Sequence, residues 1–358
     1  LSALSPEDQR WLESAVRLAR ARLGTTGSFP AAAVLIVDAG GQVLAGRGIT
    51  GTMGHPAALV AALADARGRT DGGTAYLTIE PDGTDGPYES EAEKLANAGI
   101  ARAVIGMLEP DPQRRGRGVA LLRARGIDVV AADHPPAQRL AEGYASRLLR
   151  RRPFVTAVLA TSTDGMIGTR DADPVELLTS DALRWLATQR SACDAVLTTA
   201  RALAHQGHGL VGDADAGLAG PLTIIVAGRT SPADWLAPAR SLMVMAAEEG
   251  AAPSANDAIM RLPARNGRLD MTAMMRGIAE RDINNVQVRA GARVTEALLA
   301  AELVDRFHLF ESTYQIGRGG IPSTPLGALD ARLRATGFEQ QDERLLGDNR
   351  LRTFERVL

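Results

Sequence analysis

The sequence predicts a two-domain α/β protein, and three observations carry that expectation. Strands alternate with helices along most of the chain, the pattern of a central sheet covered on both faces. At 358 residues the chain is long enough for two cores. Near its middle, the basic stretch Arg150-Arg151-Arg152-Pro153 runs into the alternating β-branched segment Phe154-Val155-Thr156-Ala157-Val158-Leu159-Ala160 and then a Ser-Thr-Asp-Gly turn. The expected domains are residues 1–147 and 148–358.

Composition narrows the class. Hydrophobic residues make up 45% of the chain, as in a globular protein. A net charge of −2 gives no electrostatic pull toward nucleic acid or an anionic membrane. No apolar run approaches a membrane span. Leu1 to Arg10 lacks a charged-then-apolar signal pattern and reads as cytoplasmic. The single cysteine, Cys193, excludes an intrachain disulfide and any multi-thiolate zinc site.

In the first half, Pro6 to Leu23 has apolar residues at helical spacing, with Ser5 as N-cap. Ala32 to Val37 is a short buried strand, and Gly40-Gly41 turns the chain into Val43-Leu44-Ala45. Pro56 to Ala66 is an alanine-rich helix, and Thr74 to Ile79 a strand that stops at Glu80-Pro81. Ser90 to Asn97 is a helix closed by Gly99, Ala101 to Met107 a strand, Val119 to Arg125 a helix ended by Gly126, and Ile127 to Ala131 a strand.

In the second half, Asp181 to Ser191 reads as a helix with Ser180 near its N-cap, and Cys193 to Thr199 as a strand. Leu222 to Ala227 and Ser241 to Ala247 are further strands. Asp270 to Arg281 is a helix whose Met271, Met274 and Met275 lie on or near one face, as core methionines do. Val286 to Ala290 is a strand, Val294 to Ala301 a helix, Leu303 to Phe310 a strand, and Phe338 to Val357 a closing hairpin.

These phrases resemble the bifunctional riboflavin-biosynthesis deaminase/reductase family. Arg152-Pro153-Phe154-Val155-Thr156 with Ser162-Thr163-Asp164-Gly165 is similar to the opening strand of its reductase domain. Thr74 to Pro81, Ala98 to Ile105 and Pro110 to Gly118 are similar to its deaminase signatures, in the same order. Leu178-Thr179-Ser180, Asp194 to Thr198, and Gly291…Leu303-Val304-Asp305 are similar to segments of its reductase. The resemblance implies a cytidine-deaminase-like three-layer domain followed by a dihydrofolate-reductase-like domain.

The family's deaminase chemistry requires one histidine and two thiolates on zinc, with a glutamate as proton shuttle. Matched to the family pattern, the ligand histidine is Ala57, the shuttle is Leu59, the two cysteines are Asp82 and Glu91, and the base-reading asparagine is Phe29. All five are changed. His55 lies two residues from the ligand position, yet a shifted match still lacks the glutamate and offers hard carboxylates for thiolates. The resemblance therefore implies a degenerate, zinc-free deaminase half, with no metal ligand assigned.

For the second half the resemblance implies NADPH as cofactor, held around Ala160, Thr199, Gly291, Ala292, Arg293 and Thr295, with backbone amides of the glycine turn on its phosphates. An ordinary strand-to-helix turn with a solvated arginine is the competing reading. Thr179 and Arg184 match substrate-holding positions. The family's lysine on the opening strand is Val158, its tryptophan is Leu177, and its glutamate near the glycine turn is Arg289. No catalytic residue is assigned. His205 and His208, in the stretch that replaces the family's substrate loop, read as a polar loop or a metal corner.

Two functions stay open. One is an NADPH-dependent reductase of a ribosylamino-pyrimidine phosphate or related compound. The other is a catalytically dead paralogue that binds a pyrimidine-type ligand or regulates a partner. The resemblance also implies a homodimer through the C-terminal domain.

Overall fold

Ser5 starts the first helix by closing a capping box. Its hydroxyl accepts from the Asp8 N–H at 3.1 Å, and the Asp8 carboxylate accepts from the Ser5 N–H at 3.4 Å. Helix α1 (Pro6–Arg20) follows. In the computed structural model, residues 3–84, 86–169, 175–206, 220–228, 241–247, 259–265, 268–324 and 329–357 are described. They belong to two compact units, Leu1–Arg151 and Arg152–Leu358.

In the first unit β1 (Ala33–Val37) and β2 (Leu44–Ile49) form the expected antiparallel hairpin. After them come α2 (Ala58–Ala66), β3 (Thr74–Leu77), α3 (Glu91–Asn97), β4 (Arg102–Ile105), α4 (Arg117–Ala124) and β5 (Asp128–Ala131). A helix not anticipated from the sequence, α5 (Pro135–Arg150), closes the unit. It runs through Arg150 and ends at Arg151, φ 54°, which is why the division falls four residues beyond the expected boundary.

The sheet order is β2-β1-β3-β4-β5, with β3, β4 and β5 parallel. Strand alternation sorts β1 between two cores. Val34 and Ile36 pack with Leu59 and Ala62 of α2, Leu95 of α3 and Leu122 of α4. Ala33, Leu35 and Val37 pack with Val16 and Ala19 of α1 and Leu140 of α5. The result is three layers. Each fully buried aliphatic side chain contributes roughly 1.5–3 kcal/mol to holding them together.

The second unit opens with β6 (Phe154–Thr161), β7 (Met166–Thr169), α6 (Ser180–Ser191), β8 (Ala195–Thr199), α7 (Ala200–Gln206), β9 (Leu222–Gly228) and β10 (Ser241–Ala247). It continues with β11 (Ile259–Arg265), β12 (Arg268–Leu269), α8 (Met271–Ala279), β13 (Asn285–Val288), α9 (Ala292–Ala300) and β14 (Arg306–Glu311). The last elements are β15 (Gly320–Pro322), α10 (Leu329–Ala335), β16 (Phe338–Leu346) and β17 (Asn349–Arg356). Ten strands make one sheet in the order β12-β11-β10-β9-β8-β13-β6-β14-β17-β16. From β11 to β14 every pairing is parallel.

One face carries the larger core. Val155, Ala157 and Leu159 of β6 and Val286 and Val288 of β13 pack there with Met274, Met275 and Ile278 of α8, Leu298 of α9 and Leu333 of α10. The methionines are thus core residues. The other face has two smaller clusters: Val158, Ala182, Leu186, Phe310 and Leu351 beneath α6, and Val196, Ala200, Leu203 and Ile225 beneath α7.

The entry into this unit is pinned by charge. Arg152 donates to both carboxylate oxygens of Asp305, at 2.6 and 2.7 Å, and Asp305 also accepts from the Val155 N–H at 2.8 Å. Such a bidentate pair fixes geometry as well as charge. The Ser-Thr-Asp-Gly turn is anchored just as firmly. The Asp164 carboxylate accepts from the Ile316 and Gly317 N–H groups at 3.2 and 2.7 Å, tying the turn to the segment after β14. Among the described residues no helix is long and apolar enough to cross a membrane.

Candidate functional site

In an open parallel sheet the place for a ligand is the crevice beyond the strands' carboxyl ends, where successive connections leave in opposite directions. Here β8 leads through α7 to β9 on one side, whereas β13 leads through α9 to β14 on the other. The switch lies between β8 and β13. Thr199 ends β8, and the Ala290-Gly291 turn follows β13.

The topology brings the sequence-selected residues to this edge. Ala160 is near the end of β6, half-buried, and pairs with Phe310 of β14. Thr199 is half-buried, and its hydroxyl accepts from the Ala202 N–H at 3.1 Å, capping α7. Gly291 is exposed at the N-cap of α9, with no side-chain cap and nothing within 4 Å of where a Cβ would stand. The Ala292 and Arg293 N–H groups sit in the first turn, where a helix supplies no acceptor, and the Arg293 side chain is exposed. Thr295 faces inward: it is buried, and its hydroxyl donates to the Ala290 carbonyl at 3.3 Å. The donors open to a ligand at this turn are therefore the two backbone groups and Arg293.

Thr179 and Arg184 reach the same edge by another route. Thr179, rather than Ser180, is the N-cap of α6, accepting from the Ala182 N–H at 3.3 Å. Its hydroxyl donates to the Leu346 carbonyl at 2.8 Å. Buried Asn349 completes the join, accepting from the Thr179 N–H at 2.7 Å and donating to the Leu177 carbonyl at 2.9 Å. The β16–β17 turn stands at the carboxyl end of β14, because Glu311 pairs with Arg350. Arg184 is exposed and forms an ion pair with Asp181, one turn away on α6.

Arg289, which the family resemblance matched to a glutamate, stands near this edge too, whereas the state of its neighbours Thr198 and Gln287 escaped the sequence-based expectation. Arg289 donates its N–H to the Leu197 carbonyl at 2.8 Å, continuing the register in which Val288 pairs with Leu197 and Ala157. It stands opposite Thr198 and one position beyond the Val288–Ala157 pair, level with Val158. Thr198 is 0% exposed and Gln287 1%, yet the Thr198 hydroxyl and the Gln287 Oε1 have no hydrogen-bond partner. Burial, with the like charge of Arg190 second, brings Arg289 down to about 10. Burial lowers His308 to about 3 and keeps it neutral, its Nδ1 3.0 Å from the Thr353 hydroxyl. Cys193 precedes β8 and so lies at the opposite, amino end of that strand; burial pushes its thiol up to about 12, so it is no thiolate nucleophile. His208 lies outside the described residues, as does the side chain of His205.

In the first unit the deaminase positions are filled differently. Leu59 is a core residue, 2% exposed, and Ala57 is the N-cap of α2. Glu91 accepts from the Asp82 N–H at 3.2 Å, and burial raises its pKa. Asp82 accepts from the Thr84 hydroxyl and pairs with Arg114 at 3.3 Å. His55 is exposed and meets the Phe29 ring edge-on, with centroids 5.6 Å apart. Among the described residues no three His, Cys, Asp or Glu side chains converge to hold a metal. A cleft of about 340 Å³ lies elsewhere in this unit, between Leu63, Thr70, Glu89, Lys94 and Asn97. Its polar groups satisfy one another, Lys94 and Asn97 both donating to Glu89.

The model of the RibD C-terminal domain matches residues 153–346. The riboflavin biosynthesis protein RibD of Synechocystis is 34% identical over 191 residues, covering 53% of this chain and 51% of that protein. RibD of Escherichia coli is 26% identical over 95% of this chain and 97% of its own length. Among solved structures, Acinetobacter baumannii RibD superposes with a TM-score of 0.80 at 22% identity, covering 98% of this chain and 99% of that one. A deaminase/reductase from Thermotoga maritima gives 0.82 at 21% identity with the same coverage. The match through both units establishes the expected fold class, a deaminase-like domain followed by a reductase-like one.

Proposed function

The chain belongs to the RibD C-terminal domain family, and from that premise we propose that its second unit is an NADPH-dependent reductase acting in riboflavin biosynthesis. Its substrate would be a ribosylamino-pyrimidine phosphate or a related compound. The observation that carries the reading is the Gly291 turn: an uncapped helix start with open space over the glycine and an exposed Arg293, beside the switch between β8 and β13. A helix N-terminus attracts a phosphate through its free N–H groups and its dipole. Ala292 and Arg293 would hold the cofactor's phosphates there, and Ala160 and Thr199 would flank the rest of the molecule. The bound cofactor supplies a hydride. The protein's part is to orient the acceptor and exclude water, since neither neutral His308 nor the buried Cys193 thiol suits proton transfer near neutral pH.

The first unit, in this reading, is a scaffold without zinc-dependent deamination. Leu59 in the core and the Asp82–Arg114 pair support that assignment. A second reading, a ligand-binding or regulatory protein without turnover, is favoured by buried apolar Val158 and Leu177 where the family has lysine and tryptophan.

The test is calorimetric titration of NADPH into the full chain and into Gly291→Asp. An aspartate is a good N-cap and has room there, so the variant should fold at least as well, while its carboxylate repels a phosphate. Micromolar binding to the wild type, weakened by about tenfold or more in the variant, is the expected outcome, equivalent to about 1.4 kcal/mol. No binding by well-folded protein would sink the reductase reading and favour the second.

A further inference from the structure

We propose that Asp164 is a positioning residue of the cofactor edge, fastening there the segment that joins β14 to β15. In that role, which rests on the reductase reading, it acts through the backbone and does not touch the ligand. Two stretches of chain leave the sheet at this edge. β6 and β14 run parallel and end level, with Thr161 paired to Glu311. Beyond those carboxyl ends come the Ser162–Gly165 turn after β6 and a strap of residues 312–319 after β14. Both therefore lie on the edge that holds Ala160 and, one strand further, the switch between β8 and β13.

The strap belongs to no strand or helix, and its hydrogen bonds run to the turn instead. The Ser312 N–H donates to the Thr161 carbonyl at 2.8 Å, and the Tyr314 carbonyl accepts from the Thr163 N–H at 2.9 Å. The Ile316 and Gly317 N–H groups then converge on one side chain, Asp164, at 3.2 and 2.7 Å, one on each carboxylate oxygen. Bonds to an ionised acceptor are the strong ones. Ser162, itself buried, donates to the same carboxylate and accepts from the Met166 N–H at 3.0 Å, so the acceptor is aimed. Gly317 presents its N–H from φ 78°, a conformation open to glycine at little cost.

The far end of the strap leads to the phosphate end of the edge. β15 pairs with β7 as a two-stranded ribbon, Gly320 with Thr169 and Pro322 with Met166. The ribbon delivers the chain to buried Thr324, whose hydroxyl donates to Glu296 of α9 at 3.4 Å. Arg332 of α10 holds the same carboxylate at 2.6 Å. The segment thus runs from the end of β14, beside β6, to the second turn of α9, the helix whose open first turn would take the cofactor's phosphates. A cofactor reaching from that turn to Ala160 would lie along the same edge. Displacing a supporting segment by about 1 Å is enough to spoil such a fit.

The experiment is calorimetric titration of NADPH into the full chain, Asp164→Asn and Asp305→Asn. A carboxamide keeps the shape of the carboxylate, but one of its two polar atoms is a donor, so it cannot receive Ile316 and Gly317 as before. NADPH affinity should fall about tenfold in Asp164→Asn, equivalent to about 1.4 kcal/mol. Asp305→Asn removes a charged acceptor at the opposite, amino end of β14 and should leave the affinity unchanged. Hydrogen exchange read by mass spectrometry gives a second measure, which for the wild type needs no variant: NADPH should slow exchange across residues 312–317, and fail to do so in Asp164→Asn. Melting curves establish that each variant is folded. Undiminished affinity in Asp164→Asn, an equal loss in Asp305→Asn, or wild-type exchange across 312–317 that bound NADPH leaves unchanged overturns the proposal while the reductase reading stands. No NADPH binding by folded wild-type protein retires both.

Discussion

The deaminase-like positions of the first unit and the strand edge of the second treat polar groups in opposite ways. In the first unit Leu59 is packed into the core, and Asp82, Glu91 and Arg114 engage one another or nearby backbone. In the second, Thr198 and Gln287 are buried with unpaired atoms, and the start of α9 has no side-chain cap. A region whose polar groups are satisfied from within is scaffold. A region that keeps them unsatisfied within the fold is where a ligand improves the free energy.

The largest test of that contrast is Leu59→Glu. A carboxylate at a site 2% exposed should cost about 4 kcal/mol or more, read as a fall in the urea midpoint. Combined with Ala57→His, it should retain no zinc by metal analysis. A folded, zinc-loaded double variant would break the comparison. Next is acid sensitivity of the first unit. The hydrogen bond from Arg102 holds Asp8 down to about 2. Because its folded pKa lies below the unfolded one, its contribution of about 2 kcal/mol is fully present above pH of about 4 and lost as pH falls through about 2. Wild-type stability should therefore fall more steeply than that of Asp8→Asn below pH of about 4.

The finest test uses one substitution twice. Thr78 accepts from the Ala33 N–H at 3.0 Å, so Thr78→Val should destabilise the first unit by about 1 kcal/mol in chemical denaturation. Thr198→Val removes an unpaired hydroxyl and should stabilise the second by about 1 kcal/mol. Equal signs would erase the distinction.

Much of the fold was legible from local chemistry. The alternation from Phe154 onward, the glycine turn at Gly40-Gly41 and the cap at Ser5 all act within a few residues, and each element formed where expected. Helix α5 was missed although Pro135 and Pro136 stand in its first turn, where proline starts a helix. Ser180 and Thr179 could each cap α6 on sequence alone. Asn349 and Leu346, far along the chain, engage Thr179. Ala160, Thr199 and Gly291, selected from separate segments through the family resemblance, fall toward one edge of the sheet, and their part in holding a cofactor is the proposal made above. The inward turn of Thr295 and the unpaired state of Thr198 and Gln287 were not legible, because both depend on neighbours supplied by other strands.

The position of β6 also has a consequence in time. It is the first strand of its unit to be synthesised, yet its neighbours in the sheet are β13 and β14. Phe154–Thr161, an apolar run, must therefore wait on the ribosome without a partner until the chain has passed Val288, and for its second until it has passed Glu311. Pairings this distant in sequence fold slowly and are exposed to aggregation. The first unit has no such delay, because β1 pairs with β2 as soon as the hairpin emerges. Nascent chains halted before Asn285 should therefore yield a protease-resistant first unit and a second half that holds on to chaperones.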